Sequence, residues 1–218
     1  MKLEISPSIL SADFAHLADE IADVLRFGVE RFHLDVMDGH FVPNLTIGPD
    51  VISAVRKCTD RVLETHLMII DPLKFGPIFA EAGSDVVQFH IEVAPDPRPV
   101  MDAIRAKGAK AGLVVNPPTD IETVLPFIKE IDHLLVMSVN PGFSGQKFIP
   151  DAVEKVRRAR EAAGPDLDIE VDGGINAETA VPCIEAGANV LVAGSFIYGA
   201  KDRGVPIAAL RNAAVHSK

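Results

Sequence analysis

Apolar residues recur along the chain in two alternating patterns, an amphipathic stretch at helical spacing and then a short β-branched run. From Asp13 to Phe27 the apolar positions keep helical spacing and stop at Gly28, after which Arg31 to Val36 reads as a strand. The unit returns. Phe75 to Ala82 stops at Gly83 ahead of Asp85 to His90, Pro99 to Lys107 stops at Gly108 ahead of Ala111 to Val115, and Thr179 to Ala186 stops at Gly187 ahead of Asn189 to Ala193. Each glycine is the stop expected where a helix ends in a residue at positive φ. Filling the gaps predicts strands near Ile5 to Ser8, Arg61 to Met68, His133 to Ser138 and Asp168 to Val171. The remaining helices are predicted near Pro49 to Arg56, Ile121 to Ile128, Asp151 to Ala163 and Lys201 to Val215.

That makes eight βα units. Strands that alternate with helices and read as continuous apolar runs are buried on both faces, which implies parallel pairing. Such units close into a (β/α)8 barrel or form a doubly wound open sheet, and periodicity does not separate the two. The first strand is not followed by GxGxxG, which weighs against a dinucleotide-binding open sheet. With no low-complexity run or Gly/Ser linker, residues 1–218 read as one domain.

Composition narrows the partners. The 218 residues are 48% hydrophobic and 24% charged, enough apolar content for a sizeable core. Lys and Arg number 21 against 31 Asp and Glu, a net charge of −10 that argues against nucleic acid or an anionic membrane as partner. An anionic ligand must then be held locally. The segment Met1 to Ile5 has no basic region followed by a long apolar one, and no stretch approaches the length of a membrane span, so a cytoplasmic protein is expected. Cys58 and Cys183 lie far apart without CxxC spacing and read as ordinary thiols.

In either architecture functional groups gather at the C-terminal ends of the strands. His33 and Asp35 are two apart on the second strand and so share a face. His66 lies on the third strand near its end, and Asp172 ends the seventh. Two imidazoles and two carboxylates suit Zn, Fe(II), Mn or Co, provided a barrel brings them to one height. Each alone has a plainer reading as a core, rim or turn residue. The pair His33 and Asp35 says more, because a buried strand rarely carries two ionisable groups on one face unless they are paired or metal-bound.

A second constellation is built on glycine: Asn140 to Gln146 after strand six, Asp172-Gly173-Gly174 after strand seven, and Ala193-Gly194-Ser195 after strand eight. Without a Cβ, backbone N–H groups can face an anion directly, and the last βα loops of a barrel recurrently seat phosphate. Met37, Met68 and Met137 also fall at or just past strand ends, either as core filling or as a dry collar over the site. His90 and Glu92 after strand four fit structural roles first and a place lining the same mouth second, and His16, His40, His133 and His216 read as surface or packing residues.

The run Phe32 to Asn44, FHLDVMDGHFVPN, resembles the signature of the ribulose-phosphate 3-epimerase family. Ser6 to Phe14, His66-Leu67-Met68, Met137 to Phe143, Glu170 to Ile175 and Val192 to Ser195 are similar to further family segments in the same order. The resemblance implies a (β/α)8 TIM barrel of the ribulose-phosphate-binding type. It implies a 3-epimerase of the pentose phosphate pathway that interconverts D-ribulose 5-phosphate and D-xylulose 5-phosphate through a cis-enediolate. Carried over by position, His33, Asp35, His66 and Asp172 would hold one divalent metal ion, Zn or Fe(II) foremost, with Mn or Co as alternatives. Asp35 and Asp172 would double as the catalytic acid and base. Ser8 and His66 would touch the substrate near the reacting carbons. Gly142, Phe143, Ser144, Gly145, Asp172, Gly173, Gly174, Gly194 and Ser195 would complete the substrate and phosphate contacts. The family also implies a homo-oligomer. One departure is Ser144, where the family loop usually has glycine, and related hexulose-6-phosphate 3-epimerases, acting for example on allulose 6-phosphate, also vary there.

Overall fold

A computed structural model describes residues 2–214. Its eight strands are β1 (Glu4–Pro7), β2 (Arg31–Met37), β3 (Val62–Met68), β4 (Val86–His90), β5 (Lys110–Val115), β6 (His133–Met137), β7 (Asp168–Asp172) and β8 (Val190–Ala193). All pair in parallel, in the order β1, β8, β7, β6, β5, β4, β3, β2. The two ends of that row meet, because Ser8 makes a parallel bridge to His33. The sheet is therefore a nearly closed (β/α)8 barrel; a doubly wound sheet would keep its two edges apart.

Helices α1 (Leu17–Leu25), α2 (Pro49–Arg56), α3 (Pro72–Glu81), α4 (Arg98–Arg105), α5 (Asp151–Ala163), α6 (Ala177–Ala186), α7 (Ser195–Tyr198) and α8 (Gly204–Ala213) complete the units. Outward-facing strand residues such as Phe32, Leu34, Leu63, Leu67 and Phe89 form one apolar cluster with Ile52, Phe79, Ile104, Val156 and Leu210 of the helices. Each such side chain, fully covered, stabilises the fold by about 1.5–3 kcal/mol. No helix among the described residues is long and apolar enough to cross a membrane.

The four glycine stops all take positive φ: Gly28 at 70°, Gly83 at 117°, Gly108 at 86° and Gly187 at 110°. Several helix starts move. Asp13 accepts from the Ala15 N–H and opens a 3₁₀ turn, so α1 begins only at Leu17. Asp71 caps the Lys74 N–H with Pro72 in the first turn, which starts α3 ahead of Phe75. Asn176 and Thr179 form a reciprocal cap that starts α6 at Ala177.

The helix expected over Ile121 to Ile128 is not one. Two 3₁₀ turns, Ile121–Thr123 and Leu125–Phe127, cross from β5 to β6 instead. Pro126 has no N–H for an α-helical bond, and the β-branched run Ile121, Thr123, Val124 disfavours one. The last helix runs from Gly204 to Ala213, and the expected end at Val215 lies outside the described residues, as does His216.

Candidate metal centre and active site

Strand pairing sets the site. His33 and Asp35 point into the barrel from β2, and the β2 register places Asp35 beside His66 of β3. His66 Nδ1 lies 3.2 Å from Asp35 Oδ1 and 3.4 Å from His33 Nε2. His33 Nε2 is 3.3 Å from Asp35 Oδ1 and 3.9 Å from Asp172 Oδ2. One donor atom from each of these four residues falls within 4.8 Å of the others. Ser8, one residue past β1, donates a 2.6 Å hydrogen bond to Asp35 Oδ2.

Charge is distributed unevenly. Burial opposes ionisation of Asp35, but His33 and His66 beside it hold the carboxyl well below its ordinary range. Asp172 moves the other way: burial, with Asp35 and Glu170 nearby, outweighs His33 and pushes it up to about 7. Burial takes His66 down to about 4. His33 is raised, because Asp35 and Glu170 outweigh its burial.

This donor set fits a divalent ion. Two ring nitrogens and two carboxylates face one another with no Lys or Arg in the group, so their lone pairs converge where only a proton or a cation relieves the repulsion. Mixed nitrogen and oxygen ligands suit Zn, Fe(II), Mn or Co.

Above the four lies a cleft lined by Ser8, Asp35, Asp172 and Met37, Met68 and Met137. The methionines are buried at 4%, 1% and 2% exposure and border the cleft. His33 and His66 are fully buried beneath it. Gly142, Phe143, Ser144, Gly145, Gly173, Gly174, Gly194 and Ser195 also line it. A Cβ on Gly174 would stand 2.6 Å from the Phe148 backbone nitrogen, and one on Gly194 2.6 Å from Ser11 Oγ. Ser11 Oγ is buried beside this wall without a hydrogen-bond partner.

The FHLDVMDGHFVPN run has a structural logic. Asp38 accepts from the His40, Phe41 and Ile70 N–H groups, which folds the loop after β2 and ties it to the turn after β3. Asn44 Nδ2 donates to the Gly142 carbonyl at 2.8 Å, tying that loop to the glycine loop after β6. Gln146 closes the latter by donating to the carbonyls of Asn140 and Phe143.

Sequence reading missed the floor of the site. Glu170 Oε1 lies 3.0 Å from His33 Nδ1, and Glu170 Oε2 accepts from Gln88 and, at 2.8 Å, from His133. Of the two readings, surface or packing, His133 takes the second and lies buried in the interior. Below it Glu64 accepts from Arg31 at 2.6 Å and from Ser6 at 2.8 Å. The signal was present: the two-residue period that joins His33 to Asp35 also joins Glu64 to His66 and Glu170 to Asp172.

A model of the family described as "Ribulose-phosphate 3 epimerase family" matches residues 4–198. Ribulose-phosphate 3-epimerase of Bacillus subtilis is 49% identical over 213 residues, covering 96% of this chain and 98% of the relative. The cytoplasmic isoform of ribulose-phosphate 3-epimerase from Oryza sativa is 47% identical over 212 residues, covering 95% and 92%. Among solved structures, KGPDC from Streptococcus mutans superposes with a TM-score of 0.76 at 12% identity, covering 99% of both chains. A 3-hexulose-6-phosphate synthase superposes at 0.72 with 21% identity, covering 98% and 99%. These two structures share the fold.

Proposed function

Because the chain belongs to the ribulose-phosphate 3-epimerase family, we propose that its cleft interconverts D-ribulose 5-phosphate and D-xylulose 5-phosphate by moving a proton at C3. The observation that carries the reading is the pair Asp35 and Asp172, both lining the cleft and both within the four-residue centre. Inverting one carbon requires a proton to leave one face and another to arrive on the opposite face. Two carboxyls whose proton affinities are driven apart suit that exchange, one held ionised and the other raised to about 7.

In this reading Asp35 takes the C3 proton of one epimer while Asp172 delivers a proton to the other face, and the roles exchange with direction. Ser8 holds the Asp35 carboxylate in place through Oδ2. When bound by His33, Asp35, His66 and Asp172, a divalent ion supplies positive charge where negative charge develops on the substrate oxygens. Zn or Fe(II) is the expected ion, with Mn or Co as alternatives. The methionine rim keeps water from the cis-enediolate, and the loops from Gly142 to Gly145, Gly173 to Gly174 and Gly194 to Ser195 grip the phosphate. Binding energy from the phosphate then orients C3 between the aspartates. One barrel domain carries the site; a cytoplasmic homo-oligomer is part of the same reading.

Proton NMR of D-ribulose 5-phosphate in D2O, with the protein before and after chelation, tests this. Expected is metal-dependent loss of the C3 proton together with the appearance of xylulose 5-phosphate. A C3 proton that persists with metal present rejects the assignment. Allulose 6-phosphate in a parallel tube shows whether Ser144 admits the longer sugar.

A further inference from the structure

We propose that His90 and Glu92 are positioning residues that hold His66 in the tautomer whose Nδ1 lone pair faces the centre. The inference rests on the metal-centre reading above and adds the groups that orient one of its ligands. His66 Nε2 lies 2.8 Å from His90 Nε2, and His90 Nδ1 lies 3.2 Å from Glu92 Oε2. The Asn116 N–H donates to Glu92 Oε1 at 2.9 Å. Glu92 therefore acts only as an acceptor at the end of the chain of rings.

That end fixes every hydrogen before it. His90 Nδ1 carries a hydrogen for Glu92, so His90 Nε2 offers a lone pair, and His66 Nε2–H donates to it. His66 Nδ1 is left bare, facing Asp35 Oδ1 and His33 Nε2. The reverse order, with hydrogen on His90 Nε2, would put a hydrogen on His66 Nδ1 and block it as a ligand. His33 is set by a shorter route, since Glu170 takes its Nδ1–H directly at 3.0 Å. The two histidines thus present opposite ring nitrogens to one point, each backed by a carboxylate, an arrangement known to fix ring orientation and ligand basicity.

The relay is anchored. The Phe41 ring packs on His90 with centroids 4.5 Å apart. Lys155 Nζ of α5 donates to the carbonyls of Asn116, Pro117 and Thr119 at 2.6–2.8 Å, so the loop that feeds Glu92 is tied to a helix.

The test strips the protein with a chelator and measures Zn and Co(II) affinity by competition with a chromophoric chelator, for the parent, His90→Phe, Glu92→Gln and His90→Gln. His90→Phe keeps an aromatic ring against Phe41 but has no acceptor; His90→Gln restores an acceptor oxygen. Expected are one ion per parent chain, affinity weaker by about 10–100-fold in His90→Phe and Glu92→Gln, and partial recovery in His90→Gln. The visible spectrum of the Co(II) form should shift in the two weakened variants. If His90→Phe does not fold, Glu92→Gln carries the comparison. A parent that binds one ion while both variants bind it within twofold overturns the relay and leaves the centre intact. A parent that binds no ion overturns the centre and the relay together.

Discussion

Ser8 Oγ donates a 2.6 Å hydrogen bond to Asp35 Oδ2 across the seam where the first and second strands of the barrel meet. The bond directs one oxygen of the carboxylate proposed to move the C3 proton. A hydrogen bond to a charged group contributes about 1.5–3 kcal/mol. Ser8→Ala should lower kcat by about ten- to a hundredfold with KM little changed, read by steady-state epimerisation. A kcat equal to the parent's would remove Ser8 from the positioning of Asp35.

Two aspartates acting from opposite sides predict an asymmetric loss. Asp35→Asn and Asp172→Asn should each lose several orders of magnitude in epimerisation while the circular dichroism spectrum is kept. Metal content is measured alongside, because both residues belong to the four-donor cluster. With metal restored, each variant should still exchange the C3 proton of one epimer with D2O, a different epimer in each. Exchange of both epimers by one variant would contradict the two-sided assignment.

Asp38 accepts three backbone N–H groups, and these hold its carboxyl below the ordinary value of 3.8 against the cost of burial. A lowered folded pKa means stability that is fully present above about 3.8 and is lost as pH falls through the folded value. Asp38→Ala should therefore lower the thermal midpoint at pH 7, and the gap to the parent should close as the pH is taken below that range. Weaker substrate binding should accompany it, since the same loop carries Asn44 to Gly142. A gap independent of pH would assign the effect to something other than the carboxylate.

The two thiols should separate cleanly. Cys58 is exposed, whereas Cys183 is buried and burial pushes its thiol up to about 12. Because the thiolate is the reactive form, native protein at pH 8 should titrate one rapid thiol with a disulfide reagent. The second should appear only on unfolding. Two rapid thiols in the native protein would mean that α6 opens readily around Cys183.

Much of the site was legible because the relevant rules are local. His33 and Asp35 share a face because a strand repeats every two residues, and the glycines after β6, β7 and β8 mark turns wherever they occur. Apolar spacing between β5 and β6 read as one helix where the chain makes two 3₁₀ turns, the second of them holding Pro126. The link from His90 and Glu92 to His66 was hidden for a different reason. Their meaning depends on the neighbouring strand, where register places His66 beside Gln88, one step below the ring it meets.

By itself the sequence determined the alternation of strands and helices, their glycine stops, the family signature and the residue types that meet at the cleft. Only the tertiary structure decided that the first strand pairs with the last and also meets the second at the Ser8–His33 bridge, which turns a row of eight into a ring. Closure carries His33 to Glu170, 137 residues away, and sets beneath the centre a buried floor of Glu170, His133, Glu64 and Arg31. The reason is physical: spacing along a strand fixes which face a side chain takes, while pairing between strands fixes which other side chains share its height.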